Sequence, residues 1–384
     1  MDWWSLPSDP RWWGSICASF LLSACVTWLS IRYAQRRNLL DLPGQRRSHR
    51  LPTPRGGGIG IVVAALLFFC LPLLLSARPG DQAFGVGAAL ALILVASVGW
   101  VDDHHPLSAR TRILVHFAAA LTLLLLPALW ALSGPGSEVL HDPNLLKLTL
   151  IGAAWACIVA TAIVWSINLH NFMDGINGLL AWQAVFVFAA LGILCYRSAE
   201  AAQSMFVLAF ATMGFVPFNF PRARTFMGDV GSGALGFLIA VAVGGAILTG
   251  AELAPQRPGT LSGVIACSAF VTDATCNLLS RILRGKRWYS AHREHLYQWM
   301  VRSGMSHAQV VAWYMSWNLL LVAPVLWWIN SEPPVGFEHG TGIFVETQEF
   351  IWAAGVYAIA ITLWIFGKRW CLHKVKSGSV REHA

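Results

Sequence analysis

Charged residues are scarce in this chain of 384 residues. Asp, Glu, Lys and Arg together make up 12% of it, and hydrophobic residues make up 56%. Since a soluble domain carries roughly a quarter charged residues, this composition argues against an ordinary soluble fold. Cysteine pairs are missing too, because none of the eight Cys forms a Cys-x-x-Cys motif. The sequence therefore indicates neither a zinc site nor a disulfide framework.

Other absences bear on the domain organisation. The chain shows no internal repeat and no low-complexity tract, and its N-terminus opens with Met-Asp-Trp-Trp rather than with a basic stretch. We therefore expect no cleavable signal. A single membrane domain should occupy residues 1–384 and end in a basic cytoplasmic tail at 368–384.

Long apolar runs fill the chain instead. There are eleven, each close to the ~20 residues that a helix needs to cross a bilayer. They predict an all-α, polytopic integral membrane protein with about eleven transmembrane helices, or ten. The predicted spans are 12–31, 57–76, 82–99, 113–133, 145–166, 179–196, 201–218, 231–249, 260–281, 307–330 and 349–367.

Five loops are each separated by two spans, so they should lie on one side of the membrane: 32–56, 100–112, 167–178, 219–230 and 282–306. All but five of the 27 Lys and Arg lie in these loops, at their edges or in the tail, whereas the longest opposite loop, 331–350, contains Glu but no Lys or Arg. This positive-inside bias predicts that the five loops are cytoplasmic. It also explains the net charge of +8 without nucleic acid, with anionic lipid head groups as contacts.

The first loop combines arginines with three consecutive glycines. It contains the run Pro-Thr-Pro-Arg-Gly-Gly-Gly, in which Arg55 precedes Gly56 and Gly57. Guanidinium forks and exposed backbone amides both suit phosphate. A loop that only set the topology would need the arginines but not the Pro and Gly residues. We therefore expect Arg55, Gly56 and Gly57 to contact substrate.

Two adjacent carboxylates, Asp102 and Asp103, follow the third span. At a membrane boundary they repel each other and cost desolvation energy unless a cation or ligand is near. They could orient a metal, a water or an attacking group. The alternative is a solvated helix end, although acidic side chains are unfavourable at a helix C-terminus. Adjacent helical residues point about 100° apart, so we expect the two to play different parts.

The third loop has no Lys or Arg and carries Asn171, Asp174 and Asn177 at intervals of three. In a helix these residues would line one side. A lone carboxylate flanked by amide side chains can recognise a sugar or nucleotide, or complete a magnesium shell. The alternative is an Asn/Gly turn between two helices.

In the fourth loop, Asp229 lies between Gly228 and Gly231, where the eighth span begins. A Gly-rich turn that opens a helix presents backbone amides and a positive dipole end to an anion. Asp229 could hold the Mg²⁺ that bridges the same anion. In the alternative it only caps the helix, but glycine on both sides favours ligand approach.

The fifth loop contains His292, Arg293 and His295. The spacing does not match His-Glu-x-x-His, so a zinc protease is not indicated. The two histidines and Arg293 could bind phosphate, the alternative being a wet interfacial loop. Asp273 lies inside the ninth span, where an acid should face the protein interior and be functional or paired.

Taken together, five segments resemble the polyprenyl-phosphate N-acetylhexosamine-1-phosphate transferases, glycosyltransferase family 4: PTPRGGGI, VDD, NFMDGINGL, FMGDVGS and HREHLYQ. The resemblance covers roughly residues 41–298, with the motifs in the family's order. The last segment lacks the three-histidine run of the peptidoglycan enzyme and is more similar to the branch that starts O-antigen on undecaprenyl phosphate. The family usually carries Asp where this chain has Asn177, which keeps hydrogen bonding but drops a charge.

The resemblance implies an enzyme of the bacterial inner membrane. UDP-N-acetylhexosamine and polyprenyl phosphate would be its substrates, UMP and a polyprenyl-diphosphate-sugar its products, and Mg²⁺, or Mn²⁺, its cofactor. This would be the first membrane step of O-antigen or another cell-envelope polysaccharide. The resemblance implies no nucleic-acid partner and allows a homodimer.

The resemblance also implies residue roles. Asp102, Asp103 and Asp174 would be catalytic. Either Asp102 or Asp103 would orient or deprotonate the lipid phosphate, or a covalent phospho-aspartate would form. Asp229 and Asp103 would bind the metal. The substrate contacts would be Arg55, Gly56, Gly57, Asn171, Asn177, His292, Arg293 and His295.

Two other classes of protein fit less well. A transporter of anionic sugar-phosphates would be expected to show repeats and polar sites near the bilayer midplane, whereas the polar residues here cluster at one face. A membrane scaffold would tolerate Gly- and Asp-containing loops but would not require them five times.

Overall fold

The computed structural model describes residues 9–41, 52–133, 145–195, 198–248, 261–286, 293–331 and 342–382. These residues form fifteen α-helices and one antiparallel pair of short strands, β1 (Leu40–Asp41) and β2 (Thr53–Pro54). The helices are α1 (Pro10–Arg36), α2 (Ile59–Ala65), α3 (Leu71–Leu74), α4 (Pro79–His104), α5 (Ala109–Ser133), α6 (Leu145–Met173), α7 (Leu179–Leu194), α8 (Ala199–Asn219), α9 (Gly228–Leu248), α10 (Ser262–Ala266), α11 (Ser268–Leu283), α12 (Leu296–Arg302), α13 (His307–Trp317), α14 (Ala323–Ser331) and α15 (Gly342–Glu382).

The all-α polytopic fold is confirmed, because every predicted span coincides with a helix or a series of helices. Among the described residues, eight helices are long and apolar enough to cross a membrane. Two further apolar helices, Ile59–Leu74 and Leu179–Leu194, are shorter. The predicted span 260–281 is divided into α10 and α11 at Cys267.

The last helix differs from the expectation at both ends. α15 begins at Gly342, so the predicted outer loop 331–350 is helical in its second part. The same helix continues to Glu382. The described part of the basic tail, 368–382, therefore continues the last helix.

Two helices contain a wider π-helical turn, and each such turn precedes a proline. Residues Leu66–Cys70 join α2 to α3, which contains Pro72, and Asn318–Val322 join α13 to α14, which contains Pro324. Proline has no N–H to donate and crowds the carbonyl four residues earlier. A wider turn before the proline lets the chain continue as a helix without that clash.

α9 is the most buried of the eight long apolar helices, and it packs against α4, α6, α7 and α2. Glycine permits its close contact with α4, since a Cβ at Gly99 would overlap the backbone carbonyl of Asp229. Gly58 and Gly231 likewise meet backbone to backbone. These contacts bring the ends of α2, α4 and α9, which carry the conspicuous loop residues, to one place.

Candidate active site

The first and fourth loops are joined by backbone hydrogen bonds. The N–H groups of Gly57 and Gly58 donate to the carbonyls of Phe226 and Met227, each at 2.9 Å, and the N–H of Phe226 donates to the carbonyl of Pro54 at 2.8 Å. Side chains at the two glycines would collide with the fourth loop. The glycine run therefore brings the backbones of the first and fourth loops together, and the role of Gly57 is to permit this pairing.

This pairing places Arg55 between two carboxylates. Its Nε lies 2.9 Å from Oδ1 of Asp103, and its Nη2 lies 3.9 Å from Oδ1 of Asp229. From α5, Nη1 of Arg112 lies 3.0 Å from Oδ2 of Asp102 and 3.4 Å from Oδ2 of Asp229. Two arginines and three carboxylates, drawn from four helices and loops, thus form one network.

Asp102 and Asp103 have different surroundings, as their helical offset predicts. The carboxylate of Asp103 accepts from the backbone N–H groups of Asp229 at 3.0 Å and Val230 at 3.2 Å, and its side chain is 3% exposed. Asp103 therefore caps α9 from a different helix. Asp102 is 10% exposed and accepts from the N–H of Leu107 as well as from Arg112.

Next to this network lies a cleft of about 460 Å³. It brings together six of the residues that the sequence singled out, namely Arg55, Asn171, Asp174, Asn177, Asp229 and Arg293. Asn171 also donates to Oδ1 of Asp229 at 3.1 Å. Asp102 and Asp103 do not line this cleft. They stand behind Arg55 and Asp229. Gly56, at φ +87°, lines a smaller crevice beside Trp100.

The helical alignment expected for the third loop is wrong. α6 ends at Met173, so Asp174 and Asn177 lie in the turn that follows it. The Nδ2 of Asn177 donates to the carbonyl of Pro221 at 3.2 Å, and its backbone N–H donates to Nδ1 of His307 at 3.3 Å. The turn nevertheless brings all three polar residues of this loop to the cleft.

The fifth loop contributes Arg293 to the cleft but not His295. The ring of His295 is buried, stacks on Tyr297 with 5.8 Å between centroids, and has its Nδ1 3.8 Å from Oδ1 of Asp273. The expectation that it faces substrate is therefore not met. His292 lies outside the described residues.

Sequence reasoning did not select several residues of the site. Asp41, Asn219, Ser232, Gln298 and Arg302 also line the cleft, and Arg112 completes the network behind it. Arg112 and Asp41 belong to loops already recognised, but their spacing from the other site residues follows no local period. Asn219 accepts from the N–H of Gly178 at 2.6 Å and donates to the carbonyl of Thr225 at 2.9 Å, so it ties two loops together.

Asp174 and Asp229 are both among the residues that line the cleft. Burial raises the pKa of Asp174 well above its usual range, and the charge of Asp229 raises it further, whereas Arg55 lowers it. In the described part of the chain, no three Asp, Glu, His or Cys side chains would enclose a metal by themselves. Mg²⁺ is ordinarily held by one or two carboxylates, together with waters and substrate phosphates. Asp174 and Asp229 fit that pattern.

Comparison with known proteins decides the family. A model of glycosyl transferase family 4 matches residues 86–245. Decaprenyl-phosphate N-acetylglucosaminephosphotransferase of Mycobacterium tuberculosis (strain ATCC 25618 / H37Rv) is 30% identical over 311 residues, 74% of each chain. The chain belongs to glycosyl transferase family 4. The matched region of this family 4 protein includes Asp102, Asp103, Asn171, Asp174 and Asp229.

Other relatives of this family 4 protein have related names. Undecaprenyl-phosphate alpha-N-acetylglucosaminyl 1-phosphate transferase of Yersinia pestis is 27% identical over 301 residues, covering 76% of this chain and 77% of the relative. Phospho-N-acetylmuramoyl-pentapeptide-transferase of Wolbachia pipientis wMel is 34% identical over 200 residues, covering 48% and 57%. These relatives are bacterial sugar-phosphate transferases, so the chain is an enzyme of a bacterial membrane. They do not single out the O-antigen branch, which stays a prediction.

Proposed function

We propose that this enzyme transfers an N-acetylhexosamine 1-phosphate from a UDP-sugar to polyprenyl phosphate. An oxygen of the lipid phosphate attacks the β-phosphorus of the UDP-sugar. The bond from that phosphorus to the bridging oxygen breaks, and UMP leaves with the electron pair. The observation that carries the proposal is the cleft in which Asp174, Asp229, Arg55 and Arg293 converge from four loops.

The arginines would neutralise and orient the anionic substrates. A phosphate monoester has a second pKa near ~6, so at neutral pH it is mostly a dianion and already nucleophilic. Such a reaction depends on positioning and charge neutralisation more than on a strong base. Arg55 and Arg112 are held by carboxylates at 2.9 and 3.0 Å, so they are preorganised for that task.

The adjacent carboxylates of Asp102 and Asp103 would have different roles in the reaction. Both oxygens of Asp103 are already bonded to the α9 amides and to Arg55. We therefore assign Asp103 to positioning α9 and Arg55, although the sequence also suggested it as a metal ligand. Asp102 is the more exposed of the two and lies beside Arg112. It is therefore the candidate for orienting or deprotonating the lipid phosphate. A covalent phospho-aspartate would likewise use Asp102, the more exposed of the two carboxylates.

A divalent cation would be held by Asp229 and Asp174. Mg²⁺, or Mn²⁺, would supply charge neutralisation of the diphosphate and of the leaving UMP. Asn171 holds Asp229 in position through its hydrogen bond of 3.1 Å. Asn177 and Arg293 also line the cleft, where they would contact the soluble donor.

The cellular setting follows from the same chemistry. We place the cleft on the cytoplasmic face of the inner membrane, where UDP-sugars are made. The product would start O-antigen or another cell-envelope polysaccharide. The proposal allows a homodimer.

The test is a transfer assay with purified enzyme, undecaprenyl or decaprenyl phosphate, and a panel of UDP-sugars radiolabelled in the sugar. We expect one donor to yield a chloroform-extractable labelled product and an equal amount of UMP. Release of free sugar phosphate without lipid product, or no turnover with any donor, would contradict the proposal.

A further inference from the structure

Asp273 is a buried acid that the proposed chemistry does not use. It lies in the middle of α11, in a predicted span, and is 1% exposed. An acid within a membrane domain is costly unless it is paired or functional. The hydrogen-bond partners of Asp273 therefore indicate its role.

The carboxylate of Asp273 accepts hydrogen bonds from three other helices. Its Oδ1 receives the backbone N–H of Leu296 at 2.8 Å and Nε1 of Trp364 at 2.9 Å. Its Oδ2 receives the hydroxyl of Tyr314 at 2.9 Å and the backbone N–H of Tyr297 at 3.5 Å. One side chain thus joins α11 to the start of α12, to α13 and to α15.

Two of these donors are the first N–H groups of α12, which have no partner inside their own helix. Asp273 therefore caps α12 from a distance, as Asp103 caps α9. The negative charge at this position also interacts favourably with the helix dipole. The contact fastens the first turn of α12, a helix of only seven residues, to α11.

α12 is a wall of the cleft, on which Gln298 and Arg302 stand. The hydroxyl of Tyr297 donates to the carbonyl of Phe172 at 3.0 Å and receives Nε2 of Gln298 at 3.1 Å. A side chain at Gly175 would overlap that hydroxyl. The start of α12 is therefore also tied to the turn that carries Asp174.

We assign the wall formed by α12 to the soluble substrate, for two reasons. α12 is not one of the membrane-crossing helices, and it contributes a guanidinium and an amide to the cleft, next to Arg293. Arg112 lies instead at the start of α5, a membrane-crossing helix. A lipid phosphate would approach along such a helix, whereas a nucleotide sugar enters from water.

We propose that Asp273 is a positioning residue for the nucleotide-sugar side of the cleft, which it serves by capping α12 and thereby fixing Gln298 and Arg302 in the wall of the cleft. This inference rests on the proposed function. Asp273 itself contacts no substrate. Its substitution should therefore weaken donor binding and leave the lipid site largely intact.

The substitution Asp273→Asn tests this role. Asn keeps the shape but turns an NH₂ group toward donors, which leaves at least one of them without an acceptor. The KM for UDP-sugar should rise on the order of tenfold, as the loss of one charge-assisted hydrogen bond would give. The KM for polyprenyl phosphate and kcat should change much less. UMP binding to the purified protein, measured by calorimetry, should weaken in parallel.

Ser268→Ala is the matched control. Ser268 is also buried in α11 and accepts from Nε1 of Trp317 at 3.1 Å, so its hydrogen bond joins α11 to α13 and not to α12. This variant should keep both KM values. Tyr297→Phe, which removes the bonds to Phe172 and Gln298, should raise the donor KM and carries the test if Asp273→Asn does not fold.

The positioning role would be overturned by equal rises in both KM values, by a fall in kcat alone, by the same donor effect in Ser268→Ala, or by an unchanged donor KM in Tyr297→Phe. If the wild type transferred no sugar phosphate, the proposed function would fail. The comparison of UMP binding between wild type and Asp273→Asn would still decide the role of Asp273.

Discussion

Asp229 shares its two carboxylate oxygens among three partners, Arg55, Arg112 and Asn171. The alternative role of Asp229, as a cap of its own helix, is already filled by Asp103, which accepts from the first amides of α9. A side chain relieved of capping can turn its oxygens into the cleft. The sequence singled out Asp229 as a ligand residue but offered no means of seeing that another acid would cap the helix.

We expect Asp229→Asn to lower transfer by roughly two orders of magnitude or more, because the amide binds a divalent cation poorly. EDTA should silence the wild type, and Mg²⁺ or Mn²⁺ should restore it. Transfer of labelled sugar to lipid, followed with purified protein of unchanged elution volume, is the measurement. Asp81→Asn, an acid at the opposite end of α4, should keep its activity. Near-normal turnover of Asp229→Asn would remove the residue from the site.

Asn177 replaces the usual Asp of the family, and the structure gives its amide a partner in the carbonyl of Pro221 at 3.2 Å. A carboxylate cannot donate this hydrogen bond, so Asn177→Asp should lower the thermal midpoint. It should nevertheless keep more transfer activity than Asn177→Ala, because an acceptor still faces the cleft, which Ala lacks. Both are measured by a melting curve and by the transfer assay. Equal activity of all three forms would show that the side chain serves the fold alone.

The contact between α4 and α9 depends on Gly99, at which a Cβ would overlap the backbone of Asp229. The two helices also carry Asp103 and the amides that it caps, so their separation sets this part of the site. Apolar periodicity predicts that both helices exist, but it does not predict which faces meet. Asp103 and Asp229 are 126 residues apart, and no local pattern connects residues at that separation.

Gly99→Ala should therefore cost both stability and activity. Overpacking of this kind typically costs ~1–3 kcal/mol, and the shift of α9 would also move Asp229 relative to Arg55. We expect a lower thermal midpoint and a reduced kcat. Gly80→Ala on the same helix, where a Cβ meets nothing within 4 Å, should leave both unchanged or raise the midpoint slightly, since Ala favours helix over Gly. Equal behaviour of the two variants would contradict this account.

The short elements of the fold were the least predictable. The loop carrying His295 reads as polar, and its ring was expected to face substrate, but the ring is buried against Tyr297, with its Nδ1 3.8 Å from Oδ1 of Asp273. The wide turns before Pro72 and Pro324 do not follow from proline chemistry alone, because α5 and α8 contain Pro127 and Pro217 without such a turn. The division of the span 260–281 at Cys267 could not be foreseen either, because residues 264–270 contain no Pro or Gly that would mark a break.

The convergence of the loops on one end of the helix bundle was foreseen from charge alone. Counting spans and basic residues placed five loops on one side, and the structure joins four of them in the cleft and the fifth, through Asp103, behind it. The sequence supplied the candidates because membrane insertion sorts loops by charge. The order of the side chains around the cleft required the packing of α2, α4 and α9, which charge does not specify.

The last prediction concerns the side of the membrane on which the cleft lies. The excess of Lys and Arg in the five loops and of Glu in the segment 331–350 predicts a cytoplasmic cleft, an external N-terminus and a cytoplasmic C-terminus.

In a variant without native Cys, single Cys residues at Ser48 and Ser108 should be shielded from a membrane-impermeant maleimide added to intact cells. A Cys at Gly340 should be labelled. After permeabilisation all three should react, which controls for buried thiols. Labelling of Ser48 and Ser108 from outside would place the cleft where no UDP-sugar is made, and the proposed donor would have to be abandoned.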